Sequence, residues 1–179
     1  MAKLPARTRA RLRAVDTLYE AHLKGLDEDS DALKDLVDER LQVSTAQTPI
    51  PPYTAEIVRG IADELDIIDA VLAGYSKQWD LDRMAQTDLA TLRVAVWEMM
   101  FNDEVDQLVS INEAIAISRR ISTPDSPAFI NGVLDAVMHD PDGLVTRMQQ
   151  LATEEYTKVD KGQEISLDAA SETEDETLF

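Results

Sequence analysis

The chain contains no cysteine. Disulfides, thiolate metal centres and cysteine nucleophiles are therefore excluded, and a reducing compartment is compatible. Aromatic residues are scarce at 5%, and only 6 glycines are present, whereas Ala, Leu, Ile, Val, Asp and Glu dominate. That balance favours helices over sheet. No apolar run approaches the length of a membrane span, and no signal-peptide core follows the basic N-terminus. The expectation is a soluble, cytoplasmic protein with no membrane partner. The two histidines, His22 and His139, lie far apart and lack ligand-like or triad-like neighbours. Gly-rich phosphate loops, GxSxG, HExxH and EF-hand patterns are all missing. The sequence therefore offers no catalytic residue, metal site or cofactor, and an enzyme is not expected.

What is present is a chain of 179 residues, 44% apolar, with a formal charge of −18. The length suits one domain with a substantial core. Taken alone, the charge argues against nucleic acid, but its distribution is uneven. Residues 1–13 carry Lys3, Arg7, Arg9, Arg11 and Arg13 and no acid, whereas residues 152–179 carry nine acids against Lys158 and Lys161. We expect a folded domain over 1–152 with a basic head at 1–13, and an acidic, disordered tail over 153–179.

Apolar residues recur at helical spacing along most of the chain. The first helix is expected from about residue 6 to Lys24, stopped by Gly25. The second starts near Ser30 as N-cap. The prolines of "QTPIPP" break the chain at 47–52. A long third helix follows from Tyr53, with a kink placed at Leu65-Asp66. A short turn at Asp82–Met84 precedes an apolar helix over Thr87–Phe101. Ser110 opens the next, with Ser110 and Glu113 as a capping box. A last helix is expected through Leu144, Val145, Met148 and Leu151. About seven amphipathic helices joined by short links imply an all-α bundle.

Two stretches carry more than fold. In "ARTRARLRAV", arginines crowd a helix start, where acids are preferred. Arg7 and Arg11 share one line of a helix, and Arg9 and Arg13 lie nearly opposite. Either the segment is a solvated, frayed terminus, or it is an arginine-rich RNA contact that orders on binding. In "SPAFINGVLDAV", Asn131-Gly132 reads as a hairpin turn, yet Phe129, Val133, Leu134 and Val137 fall on one helix face. Ser126 as N-cap and Pro127 as first helical residue favour the helix. A glycine inside it costs about 1 kcal/mol relative to Ala. Gly132 is therefore expected where another helix or a ligand backbone approaches closely. Phe129 is either core or a ring offered at the helix tip.

Three segments, "RTRARLRAVDTLYEA", "DLATLRVAVWEMMFNDEVDQLVSINEAI" and "SRRISTPDSPAFINGVLDAV", resemble the NusB family of bacterial transcription antitermination factors. The pairing of "INEAI" with "FINGVLD" is the most specific part. The resemblance implies an all-helical fold of two packed helical subdomains. It also implies binding to boxA RNA of ribosomal RNA leader transcripts together with NusE, a small-subunit ribosomal protein, and through that complex to RNA polymerase and other Nus factors. Carried over by residue, RNA binding falls on Arg7, Arg9, Arg11, Arg13, Asp125, Ser126 and Phe129, and the NusE face includes Tyr19 and Asp88. Thr8 and Leu12 interrupt the arginine run. Pro127-Ala128 stands where similar proteins often carry a polar or basic pair, which implies weak RNA affinity without the partner. Two other readings compete. One is a helical interaction module or homodimer with little RNA binding of its own. The other is a fragment of a methyltransferase that carries a related helical domain, which the lack of cysteine and of a second domain opposes.

Overall fold

The computed structural model describes residues 4–43, 48–76, 81–140, 143 and 146. Among these, the secondary structure is helical throughout: α1 (Ala6–Leu23), α2 (Ser30–Gln42), α3 (Pro52–Asp63), α4 (Leu65–Tyr75), a 3-10 turn at Leu81–Arg83, α5 (Gln86–Phe101), α6 (Gln107–Ile121) and α7 (Ser126–His139). One compact unit spans Met1–Pro141 and a second spans Asp142–Phe179. The helix expected through Leu144 and Leu151, the domain boundary at 152 and the acidic tail lie outside the described residues.

Within the first unit the helices pack in two groups, α1–α3 and α4–α7, which meet where α5 lies against α1 and α3. The centre is α5, buried at every position from Asp88 to Met99. A helix surrounded on all sides has no polar face to show. Its three buried charges are each held by a different neighbour. Asp88 accepts from Ser126 of α7, Arg93 donates to Asp69 of α4, and Glu98 accepts from Arg11 of α1. Each pair fixes the register of one packing contact, because slipping it would strand a buried charge.

The element ends show what the local sequence does. Gly25 takes φ +67°, the left-handed conformation that lets α1 stop. The long third helix breaks at Glu64 (φ −119°, ψ 21°), one residue before the expected kink. Three expected caps are replaced. Asp29, not Ser30, caps α2 by accepting from the Ala32 N–H, and Ser30 instead donates to the Ala62 carbonyl. Asp106 caps α6 by accepting from the Leu108 N–H. Ser110 and Glu113 lie inside α6 and serve tertiary bonds, Ser110 to Glu98 and Glu113 from Thr8. Ser126 follows the N-cap residue Asp125 and gives its hydroxyl to Asp88. In each case a hydroxyl that could cap has a buried carboxylate or carbonyl within reach, and a tertiary partner wins.

The close-approach glycine is Gly60, not Gly132. A Cβ on Gly60 would lie 2.1 Å from Trp97 Nε1, whereas a Cβ on Gly132 would meet nothing within 4 Å. Gly132 is exposed on α7, so the packing expectation for it is corrected.

Candidate nucleic-acid interface

The basic head is helical from Ala6 onward, so the frayed terminus and the segment that orders only on binding are both set aside for these residues. Its arginines divide by face. Arg11 is 3% exposed. Its Nε donates to both Glu98 oxygens, at 2.8 and 2.9 Å, and Nη1 lies 3.4 Å from Glu113 Oε2. Burial pulls the Arg11 guanidinium down, yet the Glu98 hydrogen bond and charge, with Tyr53 and Glu113, carry it above its ordinary value. Glu98 also accepts from the Tyr53 hydroxyl and from Ser110 Oγ. Burial first, then the Glu98 hydrogen bond, raise the Tyr53 phenol above its usual range. Glu98 is thus fully engaged inside the protein, whereas Glu113 Oε2 meets Arg11 by charge alone and has no hydrogen-bond partner among the described residues. Arg11 is therefore removed from the expected RNA contacts, because its charge is enclosed and neutralised.

The other head arginines reach solvent. Arg7 is exposed, 4.9 Å from the Tyr53 ring centroid and 3.4 Å from Glu104 Oε2. Arg9 is exposed and donates to the Leu4 carbonyl at 2.9 Å. Arg13 is half-buried and 3.4 Å from Asp16. Surface pairs of this kind are worth little and yield readily to a phosphate.

At the α7 tip, Asp125 is exposed, Phe129 is half-buried and Ser126 is 3% exposed. The Ser126 hydroxyl donates to Asp88 Oδ2 at 2.6 Å and lies 2.9 and 2.8 Å from the Ser122 and Thr123 hydroxyls. Ser126 thus holds the tip in place rather than meeting a ligand through its side chain. Beside it lies a cavity of about 480 Å³ lined by Arg83, Met84, Asp88, Asp125 and Phe129 among others. Asp88 is 6% exposed, and its Oδ1 has no hydrogen-bond partner among the described residues. Tyr19 is 40% exposed on α1, with Leu23 bare one turn later. Asp88 and Tyr19 therefore do not share the surface character expected of a partner face: Tyr19 is open, and Asp88 belongs to the Ser126 pair.

Three residues escaped the sequence reading. Arg83, Arg119 and Arg120 are exposed and have no carboxylate partner among the described residues. Arg119 and Arg120 stand in the last turn of α6, where cations also suit the helix dipole, and that reading hides their availability. The signal was the count of acids within reach, which requires the fold. Among the described residues no His, Cys, Asp and Glu cluster could hold a metal ion, and no helix is long and apolar enough to cross a membrane.

The NusB family model matches residues 8–139. The transcription antitermination protein NusB of Bifidobacterium longum subsp. infantis is 46% identical over 132 residues, 74% of this chain and 68% of that protein. Its counterpart from Beutenbergia cavernae is 41% identical over 138 residues, 75% of this chain and 90% of that protein. The solved structure of T. maritima NusB superposes with a TM-score of 0.59 at 31% identity, covering 81% of this chain and 99% of that one. A chain from the crystal structure of a plectonemic RNA supercoil shares the fold, with a TM-score of 0.59 at 22% identity over 75% of this chain and 95% of that one. The matched span, the identities to these relatives and the shared fold converge on one conclusion: this chain belongs to the NusB family of transcription antitermination proteins, whose role is not enzymatic.

Proposed function

We propose that this protein supports ribosomal RNA transcription in the cytoplasm by binding boxA RNA jointly with NusE. It would join RNA polymerase and other Nus factors through that complex. The observation that carries the reading is electrostatic. In a chain of net charge −18, Arg9, Arg83, Arg119 and Arg120 are exposed and have no carboxylate partner among the described residues. Acids are abundant, so cations left unpaired are available to an outside anion. Arg7 and Arg13 add to them once their weak surface pairs open.

Each group has a distinct role. The arginines take RNA phosphates and release counterions, so affinity falls steeply with salt. The half-buried Phe129 ring, at the edge of the Arg83 cavity, stacks on an unpaired base. In the first turn of α7 the Ser126 and Phe129 N–H groups are bonded to the Thr123 and Asp125 carbonyls and Pro127 has none, so the Ala128 N–H is the one left to add a donor to phosphate. Asp125 sits exposed beside that turn and opposes phosphate there, which favours one placement of the strand over another. The remaining acidic surface repels RNA and discourages non-specific docking. Tyr19 and Leu23 offer an apolar line on α1 for NusE.

The test is titration of boxA and scrambled RNA, with and without NusE, at two salt concentrations. Preference for boxA that strengthens with NusE is expected. Equal binding of the two RNAs under every condition overturns the proposal. Phe129→Ala should lower boxA affinity by about 5- to 150-fold, equivalent to about 1–3 kcal/mol, and leave helicity intact. A homodimer in solution that buries Arg7 to Arg13 would favour the interaction-module reading instead.

A further inference from the structure

A groove of about 150 Å³ runs between the start of α1 and the end of α6. Leu4, Leu12, Ala116 and Ile117 form its walls, and Arg119 and Arg120 its rim. Thr8 also lines it, but the Thr8 hydroxyl is turned to Glu113 Oε1 at 3.1 Å. The walls are therefore apolar, and the polarity is concentrated in two exposed guanidinium groups with no carboxylate partner among the described residues. Arg9 is held at the Leu4 end by its bond to the Leu4 carbonyl. The nearest carboxylate on α6, Glu113, is already engaged by Thr8 and Arg11.

This combination specifies an occupant. An apolar cavity of about 150 Å³ accommodates one six-membered ring. Adjacent cations at one edge call for an anion next to that ring. A flat ring beside a phosphate is a nucleotide. We infer that this groove seats a single unstacked nucleobase of the bound RNA, with its neighbouring phosphates on Arg119 and Arg120. The inference rests on the RNA-binding reading above and adds a second base position, in a groove whose lining does not include Phe129.

The test couples the groove to one base. Ala116 is exposed on α6, so Ala116→Phe fills the groove without entering the core. A series of boxA RNAs, each with one base replaced by an abasic nucleotide, is titrated against the wild-type protein and this variant in the presence of NusE. For wild type, one abasic position outside the Phe129 contact should cost about tenfold in affinity, the scale of burying part of a base. Ala116→Phe should lose a similar factor on intact RNA and become insensitive to that same position. Arg119→Ala with Arg120→Ala should reduce the slope of log affinity against log salt by about 1.4, for two phosphates of a single strand. If boxA binding persists but no abasic position changes its effect in the variant, the groove assignment is overturned and the RNA reading stands. If wild type shows no boxA preference, both fall.

Discussion

Arg9 and Arg11 are two positions apart on one helix and live in opposite surroundings. Two residues turn a helix by about 200°, so one faces solvent and the other faces α5. Arg11 meets Glu98, Tyr53 and Glu113 inside the protein, while Arg9 donates to the Leu4 carbonyl and has no carboxylate partner among the described residues. The same side chain is thus a structural pin on one face and a candidate RNA contact on the other. A basic run in an acidic chain therefore overstates the charge available to a ligand, and the fold decides how much remains.

That contrast is most sharply broken by removing each arginine in turn. Arg11→Ala leaves Glu98 buried without its cation, and loss of one partner from a buried pair costs about 3–5 kcal/mol. Urea denaturation should show that loss. Arg9→Ala should change stability by no more than about 0.5 kcal/mol and instead reduce the salt slope of boxA binding by about 0.7, one phosphate contact. If Arg9→Ala proved the more destabilising variant, the division between inner and outer faces would be wrong.

The glycines give a second version of the comparison. Gly60 faces Trp97 with no room for a methyl group, and Gly132 faces open space. Gly60→Ala must push the indole or separate α3 from α5, and overpacking of this kind costs about 1–3 kcal/mol. Thermal or urea unfolding of the variant reads that directly. Unchanged stability would mean that α3 and α5 adjust freely at this contact, contrary to the buried, hydrogen-bonded centre described above.

These pairs also show what could be read from sequence. Helix order and most boundaries among the described residues follow from apolar periodicity, because a 3.6-residue repeat is a local property of the chain. The break between α3 and α4 was placed within one residue. The caps were less legible. Ser30, Ser110 and Ser126 all match cap patterns, but each found a partner far along the chain. The opposed lines of arginine were visible from helix geometry, yet which line turns inward depends on Glu98, 87 residues away from Arg11. The unpaired Arg119 and Arg120 required knowing which acids do not come near. The resemblance to NusB supplied the family and pointed to the α7 tip, but it did not separate exposed residues such as Asp125 from buried ones such as Ser126 and Asp88.

The smallest expected effect is also the most discriminating for α7. Gly132 lies in the interior of a helix spanning Ser126–His139, is exposed, and has no neighbour that an added methyl group would meet. Its backbone is ordinary right-handed helix, since Gly25 is the positive-φ glycine among the described residues. Nothing in the isolated protein therefore requires glycine here, and Gly132→Ala should stabilise the fold by about 1 kcal/mol through helix propensity. Thermal unfolding measures this gain, and boxA titration of the same variant tests what else the position does. A gain in stability with unchanged RNA affinity makes Gly132 a plain surface position. A gain accompanied by weaker boxA binding places an RNA or partner backbone against this face of α7, one turn from Phe129. A loss of stability contradicts the open space around Gly132 and returns it to a packing role.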